Sequence, residues 1–101
     1  MEDNMSDKKK MHQHLLKELH EIWETKNAKY GDSFGETHQE FGSIAALVRI
    51  SDKYRRMKQL ITHPEEPNDT DESLEDTLTD MANYCVMLAL ELRVEKEMTK
   101  E

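Results

Sequence analysis

Leu74, Leu78, Met81, Cys85, Leu88 and Leu92 recur every three or four residues, and at about 100° per residue they form one straight apolar line along a helix. Directly opposite runs a second line, Asp76, Asp80, Asn83, Met87, Leu90 and Val94, polar in its first half and apolar in its second. A helix that is apolar on opposite sides must be covered on both. Three helices in one chain do not easily do this, so the pattern predicts a homo-oligomer.

The rest of the chain supports an all-α fold of three main helices in a small bundle completed by oligomerisation. Only three glycines and two prolines punctuate 101 residues, and β-branched residues never alternate over a strand length. A first helix is expected from about residue 8 to 29, with Leu15, Leu19 and Ile22 on one face and Leu16 and Trp23 beside them; Gly31 in "KYGDSFG" is placed as a left-handed stop. A second is expected from about residue 36 to 61, ended by the charged, proline-containing "THPEEPND". Ser73 caps the third, with Asp76 in capping-box position, and the helix should reach about Glu95. The expected organisation is a disordered tail over 1–7, a single helical domain over 8–96 and a disordered tail over 97–101.

Charge and composition narrow the partners. The net charge of −8, from 22 acidic and 14 basic residues, argues against a nucleic-acid backbone as the main partner. No segment approaches the roughly 20 apolar residues of a membrane span. The charged start carries no apolar run, and a lone cysteine, Cys85, forms no intrachain disulfide. These features predict a soluble, cytoplasmic protein.

The polar half of the second line draws attention to chemistry. Asp76, Asp80 and Asn83, at i, i+4 and i+7, aim three oxygen-bearing side chains at one region, and two carboxylates held together repel unless a cation or proton lies between them. Asp76 has an alternative role as a first-turn cap. Asp80 sits nearly two turns in, where the dipole benefit has faded, which favours a functional role. Asn83 suits an inter-helix hydrogen bond or a ligand contact.

On the second helix Phe41, Ala45 and Val48 form an apolar line with Ile44 alongside, and the next position on it is Asp52. That acid needs Arg55 or Arg56 as a partner, or a metal shared with the third helix. Ser43, Leu47, Ile50, Tyr54, Met57 and Ile61 form another line, so this helix too needs cover on two sides. Lys26 prolongs the apolar line of the first helix, where its ammonium either snorkels or reaches phosphate oxygens. The five histidines form no metal set and are assigned to the surface. No phosphate-cradling glycine loop and no nucleophile-base arrangement is present.

Three segments together, "KNAKYGDSF", "EFGSIAALVRISDKYRRMKQL" and "ESLEDTLTDMANY", resemble the phage and bacterial family called nucleotide modification associated domain one, over most of residues 20 to 90. That family is similar in helical plan to the MazG-like all-α nucleoside triphosphate pyrophosphohydrolases, in which acidic motifs on two consecutive helices bind Mg²⁺ and the metal holds a nucleotide's phosphates. The resemblance implies Asp52, Asp76 and Asp80 as metal and catalytic residues, with Lys26, Asn27, Tyr30, Lys53, Arg56 and Asn83 contacting the ligand. The carboxylates would take Mg²⁺ at oxygen, and Mg²⁺ would bridge phosphates. The chain departs from the MazG-like pattern in offering Arg49-Ile-Ser-Asp52 and Asp76-Thr-Leu-Thr-Asp80, with one acid replaced by arginine and the second spacing four rather than three. Fewer carboxylates predict weaker metal binding.

Three functions follow as expectations. One is a Mg²⁺-dependent nucleoside triphosphate pyrophosphohydrolase of phage-related nucleotide metabolism. The second is a non-catalytic nucleotide binder, for example one that sequesters a signalling nucleotide in phage counter-defence. In the third, a helical oligomeric interaction module, the inward acids simply pair with arginines.

Overall fold

A computed structural model describes residues 4–65 and 72–100. Among these the chain is all-α, with four helices in the order α1 (Asn4–Tyr30), α2 (Ser33–Phe41), α3 (Ile44–Thr62) and α4 (Leu74–Thr99). The first helix starts earlier, and the last runs further, than the apolar periodicity alone marks. Residues 1–3 and 101 of the expected tails, and 66–71 of the expected proline-containing connection, lie outside the described residues. None of the four helices is long and apolar enough to cross a membrane.

The chain divides into two compact units, Met1–Ser33 and Phe34–Glu101. In the first, α1 is a largely exposed helix braced along its side by contacts one turn apart, His14 to Glu18 at 3.0 Å and His20 to Glu24 at 3.7 Å. The His20 imidazole also lies against the Trp23 ring, centroids 5.8 Å apart. Gly31 follows α1 with φ +70°, the left-handed stop its position predicts.

The second unit is built on the α3 and α4 pair, with α2 joined to α4 through Phe34 and Tyr84, whose ring centroids lie 6.4 Å apart. The expected single helix over residues 36 to 61 is instead two helices. Gly42, at φ +76°, takes the left-handed conformation, and its N–H donates to the His38 carbonyl at 2.7 Å, so α2 closes in an αL cap and α3 restarts at Ile44. Ser73 begins α4 as predicted. Its hydroxyl accepts from the Asp76 N–H at 3.0 Å, while its own N–H donates to Asp76 Oδ2 at 3.1 Å.

Periodicity located the apolar lines correctly but not the face that is covered. On α4 Thr77 is fully buried, and the half-buried positions are Leu74, the run from Thr79 to Tyr84, Met87, Leu88 and Glu91; from Tyr84 onward they follow a stripe lying roughly 80° round from the Leu74 to Leu92 line. On α3 Ala46 is buried, and Ala45, Ile50, Ser51, Lys53, Arg56, Met57 and Leu60 are half-buried. Both sequence lines are therefore only half covered. Leu92 and Val94 on α4, and Leu47 and Val48 on α3, stay more than two-fifths exposed, and Ala46 is the one buried hydrophobic residue among those described.

Candidate functional site

Lys53 and Arg56 are three residues apart on α3, and both side chains lean toward the start of α4. The capping box fixes Ser73, and the residue before it, Glu72, is thereby held at the mouth of that helix. Lys53 Nζ donates to Glu72 Oε1 at 2.7 Å and to Asp80 Oδ2 at 3.1 Å. Arg56 Nε lies 2.6 Å from Glu72 Oε2, and its Nη2 donates to the Glu72 carbonyl at 3.0 Å. Two cations thus face two carboxylates in a charge-balanced cluster. It lies at the rim of the unit, the Lys53, Arg56 and Glu72 side chains keeping 21–24% of their exposure and Asp80 37%.

The titration of the cluster follows from that geometry. Partial burial pulls the Lys53 ammonium down, but the hydrogen bonds and charges of Glu72 and Asp80 outweigh it together, so Lys53 titrates above its ordinary range. The Lys53 hydrogen bond holds the Glu72 carboxyl below the usual range against the opposing effect of burial, helped by a hydrogen bond with Asp80 and the charges of Lys53 and Arg56.

The residues singled out in the sequence are divided by the structure. Lys53, Arg56 and Asp80 come together. Asp76 is occupied by the capping box, the alternative role open to it. Asp52 is exposed and lies 3.7 Å from Arg55 within its own helix, the structural partner also foreseen. Asn83 is half-buried on α4. Lys26, Asn27 and Tyr30 lie near the end of α1, in the other unit, where Lys29 Nζ sits 5.2 Å from the Tyr30 ring centroid.

These placements bear on the Mg²⁺ site that the resemblance implies. Among the described residues no three His, Cys, Asp or Glu side chains are grouped so as to hold a metal ion. Of the three aspartates, Asp52 faces an arginine, Asp76 caps a helix, and Asp80 already has the Lys53 ammonium against it. This donor set does not fit Mg²⁺.

Two features escaped the sequence. Glu72 lies within a recognised motif but carries no periodic signal, because it precedes the helix and its partners are 16 and 19 residues away. His38, assigned to the surface, is 5% exposed, with Nε2 2.5 Å from Glu95 Oε1 and Nδ1 buried without a hydrogen-bond partner among the described residues. That correction follows from the break at Gly42, which sets α2 against α4. The other four histidines are exposed.

No curated protein and no solved structure gives a significant match to the chain. A family model does: it matches residues 26–92, which include every member of the charged cluster and all of the site residues drawn from the sequence. The chain therefore belongs to the family described as nucleotide modification associated domain 1.

Proposed function

We propose that the protein binds a nucleotide or nucleotide-derived ligand through Lys53 and Arg56, without a metal ion and without cleaving it. One observation carries the reading: two cations from one helix converge on a single carboxylate, the arrangement that also receives a phosphate group. The family description supports a nucleotide as the source of that group. Asp80 then orients the Lys53 ammonium, a positioning role that keeps the cation in place when the ligand arrives.

The binder works as a homo-oligomer. Leu47, Val48, Val86 and Val94 are exposed on two packed helices, and an assembly of identical chains is the simplest cover for such faces. Phage counter-defence by sequestration of a signalling nucleotide is one use for a binder of this kind.

Phosphorus NMR on a panel of nucleoside triphosphates, deoxynucleotides and cyclic dinucleotides, with and without Mg²⁺, tests the reading. Shifted or broadened resonances, independent of Mg²⁺ and with no new products, are expected. Pyrophosphate that appears only with Mg²⁺ would replace this reading with the MazG-like hydrolase. A panel with no change at all would leave a helical interaction module.

A further inference from the structure

We infer that Glu72 is a tethered substitute for the ligand's anionic group: its carboxylate fills the oxyanion site made by Lys53 and Arg56, and a phosphate-bearing ligand binds by displacing it. The nature of the ligand rests on the nucleotide-binding reading, whereas the oxyanion site does not.

Three observations lead here. Each carboxylate oxygen of Glu72 faces a cation, Oε1 accepting from Lys53 Nζ at 2.7 Å and Oε2 in ion-pair contact with Arg56 Nε at 2.6 Å, as two oxygens of a phosphate would. Glu72 belongs to no helix and immediately precedes the Ser73 cap, so its carboxylate can leave without unwinding α4. The cluster also lies at the rim, its side chains partly exposed, where a ligand can enter.

The tether sets a threshold. A side chain held next to its site by a short length of chain competes at an effective concentration of about millimolar or more. A lone phosphate, with only the Lys53 and Arg56 contacts to gain, displaces it only at high concentration. A ligand that also makes contacts elsewhere, as a nucleotide can through its base and sugar, does so at lower concentration. Glu72 thus lowers the affinity for every anionic ligand by about the same factor, which leaves free phosphate unbound at concentrations where a ligand with further contacts binds.

Calorimetric titration of the full chain with orthophosphate, pyrophosphate and a panel of nucleotides tests this. Glu72→Gln keeps the shape and removes the charge, and it should bind pyrophosphate about tenfold more tightly than the wild type, while Lys53→Met binds it more weakly. If Glu72→Gln binds pyrophosphate no more tightly than the wild type, or neither protein binds it, the inference is overturned. If Glu72→Gln gains affinity for pyrophosphate but no nucleotide binds better than pyrophosphate itself, the oxyanion site stands and the nucleotide reading fails. Should Glu72→Gln not fold, carbon NMR of the wild-type Glu72 carboxyl decides. Under saturating pyrophosphate its depressed titration should return to the ordinary carboxylate range, and an unchanged titration would overturn the inference.

Discussion

The two ends of α4 are both tied by polar side chains to neighbouring helices, in contrasting ways. At the N-terminal end, Lys53 and Arg56 share Glu72 at the rim and Lys53 also meets Asp80, so two cations face two acids. At the C-terminal end, His38 is nearly enclosed and meets one acid, Glu95, which is itself 56% exposed, while the other imidazole nitrogen is buried without a partner. The first arrangement is balanced in charge and open; the second is enclosed and meets a single acid. An open, balanced cluster can exchange one anion for another, whereas an enclosed histidine with a single acid holds two helices together and has no room to exchange anything. This contrast, more than the number of charges, is the reason for placing the proposed ligand site at the N-terminal end.

Breaking the open end should have the largest effect. Lys53→Met leaves two neighbouring carboxylates without their shared cation and should lower stability by about 2 kcal/mol in chemical denaturation, the partial exposure keeping it below the range of a fully buried pair. Removal of the cap at the same end comes next: Ser73→Ala should cost about 1 kcal/mol and loosen Glu72 along with the helix start. At the opposite end Glu95→Ala should cost about 1 kcal/mol, because the acid lies mostly in water but its loss leaves the enclosed His38 Nε2 unpartnered; a loss equal to that of Lys53→Met would erase the distinction between the two ends. Asp52→Asn, which removes an exposed pair within one helix, should change stability by less than about 0.5 kcal/mol.

Titration sharpens the same comparison. The folded-state carboxyl of Glu72 is held below its ordinary value of 4.5, so its contribution is present above that pH and is lost as the pH falls through the lowered value. Lys53 is raised above 10.5, so its contribution is present below that pH and is lost as the pH rises through the raised value. Between these limits the cluster's contribution should be flat. The stability difference between the wild type and Glu72→Gln should therefore shrink in acid, and a difference unchanged down to the wild type's acid transition would mean that Glu72 is not held by its cations.

What the sequence made legible was local. The Ser73 and Asp76 capping box involves residues three apart, and the stop at Gly31 needs one torsion, so both could be read from a few letters. The helical class and the apolar lines were equally plain. Which face α3 would cover was not, because α4 offers two lines and the covered face falls between them, centred near Thr77, Tyr84 and Glu91, where the sequence shows no apolar stripe. Lys53, Arg56 and Asp80 were identified, but Glu72 completes their cluster through contacts that no helical period encodes. His38 was missed for a related reason: its burial depends on a chain break that a glycine inside an apolar pattern does not announce.

That break is a single torsion. A side chain at residue 42 would meet open space, so the objection to one is conformational and involves no neighbour. Residues 33–62 otherwise read as one continuous helical sequence, which if straight would be a rod of roughly 45 Å. Gly42 folds that rod into two arms, and the arm carrying Phe34 and His38 reaches Tyr84 and Glu95 because of it. The attachment of α2 to α4 is thus governed from a distance, by a residue whose own contribution is a direction rather than a contact.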